Sequence, residues 1–131
     1  MSRSEPERPP TFDAWIAEEF GREGPFTLLV ALVAIGELSV TPLRSSWFHV
    51  IGTELDWSEV VRLLDGGGAD WDGAVFAPRS DDGGGPLREA AARIAVKDLG
   101  EAILADRGVL NEEHFFDRLG RRMKVEEVQP Q

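Results

Sequence analysis

Apolar residues run from Pro25 to Ile35 (Pro-Phe-Thr-Leu-Leu-Val-Ala-Leu-Val-Ala-Ile) with no charge among them, between Arg22-Glu23 and Glu37. A segment apolar on every side is a buried helix or a membrane span. As a helix it would reach only about 17 Å, well short of the ~30 Å hydrocarbon core of a bilayer. The pattern predicts a central buried helix wrapped by the rest of the chain.

The flanking segments are patterned more selectively. Phe12, Trp15, Ile16 and Phe20 recur at i, i+3, i+4 and i+8, which predicts an amphipathic helix capped by Thr11 and ended by Gly21. Ser39 to Ser46 contains Pro42 and reads as a connection, while Trp47 to Ile51 is β-branched and aromatic and suits a short strand. Asp56 and Glu59 resemble a capping box ahead of a helix that carries Trp57, Val60, Val61 and Leu64 on one face. Gly66-Gly67-Gly68 stops that helix, a loop spans Ala69 to Gly73, and Ala74 to Ala77 form a second short strand ended by Pro78.

After a glycine-rich loop, Pro86 opens the longest helix, expected to reach Asp106 with Leu87, Ala91, Ile94, Leu99 and Ile103 on its core side. Asn111 then caps a last helix bearing Phe115, Phe116, Leu119 and Met123. The expected fold is therefore α+β and predominantly α-helical. It is one compact domain of about five helices with at most a small two-stranded element, from segments 47–51 and 74–77. The domain spans residues 11–124, between a proline-rich tail over 1–10 expected to be disordered and an end over 125–131 expected to fray.

Charge narrows the functional classes. The chain carries 24 acidic against 14 basic residues, a formal net charge of −10. Such an excess disfavours nucleic acid, whose phosphates would be repelled, and suits a basic protein partner. There is no cysteine, hence no disulfide, zinc-thiolate or thiol chemistry. The N-terminus, Met-Ser-Arg-Ser-Glu-Pro-Glu-Arg-Pro-Pro, has no apolar signal region, so a cytoplasmic setting away from membranes is expected.

Few residues offer chemistry. His114 lies beside Glu113 and three residues before Asp117, but no third ligand accompanies them, and a surface histidine is the simpler reading. His49 could act as a base with Glu54 or Asp56, yet Ser45 and Ser46 lack the glycine-flanked elbow of a serine nucleophile. Packing at the edge of the core is the plainer role for His49. The run Asp65-Gly-Gly-Gly-Ala-Asp70 has no Lys-Ser/Thr and is acidic, so it is no phosphate loop. Asp65, Asp70 and Asp72 supply oxygen ligands, but the loop is only a fragment of an EF-hand pattern. No metal and no cofactor is expected.

Trp71 stands between Asp70 and Asp72 after three glycines. It is either a lid folded over the core, the favoured role, or an anchor that would make Trp71, Asp65, Asp70 and Asp72 a partner-binding set. Taken together, the sequence suggests a non-enzymatic interaction domain, such as a regulatory, immunity-like or chaperone-like partner of a more basic protein. The alternative is a small enzyme or small-molecule-binding subunit built on His49, Glu54 and Asp56.

Overall fold

The computed structural model of the protein describes residues 8–37 and 39–124. Its elements are α1 (Phe12–Glu23), β1 (Phe26–Ile35), β2 (Val40–Val50), α2 (Trp57–Asp65), β3 (Gly73–Arg79), α3 (Glu89–Ala105), α4 (Val109–Glu112) and β4 (His114–Asp117). The strands form one four-stranded sheet in the order β2-β1-β3-β4, with every neighbouring pair antiparallel. The expectation of a predominantly helical fold with at most two strands is thus overturned, and the uncharged run is a central strand rather than a helix.

The reason lies in which surfaces β1 buries. Leu28, Val30 and Leu32 enter a core completed by Phe12, Trp15 and Ile16 of α1 and by Val60 and Leu64 of α2. Leu29, Ala31 and Val33 point the other way, into a core built with Val96, Leu99 and Ile103 of α3 and Leu110 of α4. A strand covered by helices on both faces needs apolar residues at even and odd positions alike, so its period-two signal disappears. A short apolar run of this kind cannot be told from a buried helix by periodicity. Burial is worth on the order of 25 cal/mol per Å² of apolar surface, and β1 gains it on both faces because it contributes to two cores at once.

The connection expected over 39–46 is also a strand. β2 lies at the edge of the sheet, where a missing N–H is tolerated, and Pro42 sits beside a bulge: Leu32 pairs with Arg44 and Val33 with Pro42, leaving Leu43 as the extra residue. The expected last helix is replaced by α4, β4 and a turn. Phe115 and Phe116 alternate across the sheet, one in the α3 core and one in the α1 core. Leu119, expected on a core face, is exposed in that turn.

The locally encoded features match their expectations more closely. Thr11 accepts a hydrogen bond from the Ala14 N–H at 3.2 Å, and Asp56 accepts one from Glu59 at 2.9 Å. The first helix nevertheless passes Gly21 and stops at Gly24, whose φ of 71° lies in the left-handed region. On α3 the buried positions are Ala92, Val96, Leu99 and Ile103, whereas Ile94 is 64% exposed. Residues 8–10 pack against α4 and the segment after β4, while residues 1–7 and 125–131 lie outside the described residues. Among the described residues no helix is long and apolar enough to cross a membrane.

Candidate interaction surface

The two edges of the sheet are treated differently. Beyond β4 the chain folds back: Met123 donates its N–H to the Phe115 carbonyl at 2.8 Å, and Arg122 donates to the Pro10 carbonyl at 2.7 Å. Gly120 makes this return possible. Its φ is 78°, and a Cβ there would lie 2.8 Å from the Trp57 ring, whose indole N–H donates to the Arg118 carbonyl at 2.9 Å.

The β2 edge has no such cover. Among the described residues no backbone hydrogen bond reaches Val40–Val50 from any element other than β1. An uncovered edge presents a row of N–H and C=O groups to any chain that can pair with it. Pro42 and the bulge at Leu43 interrupt the first part of that row, leaving Arg44–Val50 as the regular stretch.

A groove of about 290 Å³ runs between this edge and α2, with Val30, Leu32 and Leu64 as apolar lining and Arg44, Ser45 and Ser46 on the strand side. Leu63 lines it from α2 and is 58% exposed. The Arg44 stem lies beside Gly67, where a Cβ would meet Arg44 Cδ in ordinary van der Waals contact at 3.4 Å. Between Glu37 and Glu54 the chain has no acidic residue, so the open edge is a neutral-to-basic strip on a strongly acidic protein. On the other face of β2, the Arg93 guanidinium of α3 lies 6.0 Å from the centre of the Trp47 ring.

The residues singled out from sequence are distributed as follows. Trp71 is 2% exposed and donates its indole N–H to Asp65 at 2.9 Å. Arg118 lies over the same ring at 4.2 Å and pairs with Asp65 at 3.2 Å, so Asp65, Trp71 and Arg118 form one closed unit. Asp72 accepts the Ile35 N–H at 2.7 Å and fastens the loop to the end of β1. Asp70 is exposed and alone of the four has no polar partner among the described residues. The indole is therefore inside, and the acidic rim of this loop is exposed.

His49 and Glu54 line a shallow groove of about 390 Å³, but Asp56 does not. Asp56 is committed to α2, where the Glu59 N–H first and the Ser58 hydroxyl second hold its carboxyl below the usual carboxylate range. His49 Nδ1 lies 2.9 Å from the hydroxyl of buried Thr27, which also accepts the Leu87 N–H at 2.8 Å. Thr27 and His49 therefore share one hydrogen bond, which ties the ring to β1. Among the described residues no three His, Asp or Glu side chains gather as metal ligands.

Sequence reasoning missed the β2 edge because Pro42 argued against a strand. The absence of acid between Glu37 and Glu54 was the available signal. Comparison of the chain with protein-family models, with curated proteins and with solved structures gives no match.

Proposed function

We propose that this protein is a docking domain that receives an extended segment of a partner protein along the free edge of β2. The observation that carries the reading is the coincidence of an uncovered edge, a flanking apolar groove and a strip without acidic groups. Main-chain hydrogen bonds to Arg44–Val50 supply affinity, and a side chain seated between Val30 and Leu64 supplies selectivity. Arg44, which forms no ion pair among the described residues, takes a carboxylate of the incoming segment.

The acidic excess elsewhere plays a separate part. A net charge of −10 speeds encounter with a partner that is basic overall, while the acid-free strip decides where its chain settles. A cysteine-free chain suits the reducing cytoplasm as the setting for this contact.

Photo-crosslinking in the native cell tests the reading. A crosslinking residue placed at Ser45 should join the protein to one contiguous segment of a partner, and Ser46→Lys in the same chain should abolish the product. The same residue placed at Glu18, on the exposed face of α1, should not yield it. Identical products from both positions, or none from Ser45, would rule out docking on β2.

A further inference from the structure

Past β4, at the other edge of the sheet, a cleft of about 760 Å³ is lined by Arg8, Pro10, Leu110, Arg122, Met123 and Lys124. Three cations converge here on a chain whose net charge is −10. None of them forms an ion pair with a carboxylate among the described residues. Arg8 spends its donors on main-chain carbonyls, those of Asn111 at 3.1 Å, Glu113 at 2.8 Å and Glu112 at 3.3 Å. The carboxylate of Glu113, whose main-chain carbonyl accepts from Arg8, is taken by Arg79 at 2.9 Å.

Arg122 is the more telling residue. Its Nε donates to the Pro9 carbonyl at 2.8 Å, its Nη1 meets His114 Nδ1 at 3.2 Å, and its guanidinium lies 4.8 Å from the centre of the Phe116 ring. Its Nη2 is buried and has no hydrogen-bond partner among the described residues. A buried guanidinium donor without an acceptor, beside a second arginine, carries both a desolvation cost and like-charge repulsion. One bound anion would relieve both.

We propose that this cleft binds an oxyanion, a carboxylate or phosphate group, which accepts from Arg122 Nη2 and lies within the field of Arg8 and Lys124. The planar guanidinium suits either group. The electrostatics agree with the geometry. Burial, and then the approach of Arg8, lowers the Arg122 guanidinium to about 10. Burial, and then Arg122, lowers His114 to about 3, so its imidazole is neutral and accepts from Arg122. Of the two acidic residues whose carbonyls bind Arg8, Glu113 is paired with Arg79, and screening over about 8 Å at physiological ionic strength damps the field of acids farther off. The site is independent of docking on β2.

Calorimetric titration of the full chain at low ionic strength with inorganic phosphate, and separately with citrate, tests the assignment. The expected result is saturable one-to-one binding of at least one of them, weakened about tenfold or more by Arg122→Gln. Lys124→Gln, an exposed change that spares the fold, should weaken it severalfold, and Arg62→Gln on α2 should leave it unchanged. The preferred anion identifies the group. Absence of saturable binding of either anion, or equal binding by Arg62→Gln, Lys124→Gln and a folded Arg122→Gln, would overturn the proposal.

Discussion

Thr27 is the one fully buried hydroxyl of β1, and it ties three parts of the chain together. Its oxygen accepts the Leu87 N–H ahead of α3, and its hydroxyl shares a hydrogen bond with His49 on β2. Thr27→Val keeps the shape but leaves the Leu87 donor and the ring nitrogen without partners, at a cost of about 1–3 kcal/mol. Thermal melts should show a loss of several degrees for Thr27→Val and little loss for Thr27→Ser; equal melting of all three proteins would deny the bond a role. In the sequence Thr27 was one neutral residue in an apolar run, because its partners lie 22 and 60 residues away. Trp71 was better indicated. The choice between lid and anchor was posed by its acidic neighbours, and the indole bonded to Asp65 lies within the core. Trp71→Ala should cost about 3–5 kcal/mol. Its fluorescence in the free protein should be shielded from a soluble quencher, and ready quenching would place the ring outside.

At the scale of elements, what could be read in advance was what is encoded locally. Helices α1 and α2 announced themselves through Thr11, Asp56 and their apolar stripes, since a cap and the turn it closes sit within a few residues. Strands β1 and β2 did not, because a strand is defined by partners distant in sequence. The uncharged run around Val30 becomes a strand because segment 73–79 pairs with it on one side and segment 40–50 on the other. Val30 and Ala31 are adjacent yet belong to different cores. Val30→Asp and Ala31→Asp should therefore each destabilise by several kcal/mol through an unpaired buried carboxylate. Denaturant titration checks this, and a wild-type midpoint for either variant would contradict a strand buried on both faces. Gly73 adds a finer test of the β3–β4 pairing. A Cβ there would lie 2.6 Å from the Phe115 ring, so Gly73→Ala should cost about 1–3 kcal/mol.

Over the whole molecule, charge is arranged more sharply than its sum suggests. The acidic excess was plain from composition, whereas the edge that β2 leaves open and the convergence of Arg8, Arg122 and Lys124 on one cleft exist only once the sheet has formed. The buried imidazole at that cleft gives stability a pH dependence with a definite sign. His114 titrates near 3 in the folded protein against 6.5 for an unperturbed histidine, so between those values the unfolded chain binds a proton that the folded chain refuses. Stability is present above pH 6.5 and falls as pH drops towards 3. His114→Gln should flatten that part of the profile, and an unchanged slope would show that other groups set it.

Docking along β2 requires that β1 be central and that the outer side of β2 be open, and both follow from the strand order β2-β1-β3-β4. Residue-resolved amide hydrogen exchange on the free protein measures both at once. The slowest exchange should fall across Leu28–Val33, and along Arg44–Val50 protection should alternate, amides bonded to β1 being slow and the intervening ones fast. Uniform protection through Arg44–Val50 would mean that the edge is already covered, and fast exchange within Leu28–Val33 would mean that β1 is not the centre of the sheet.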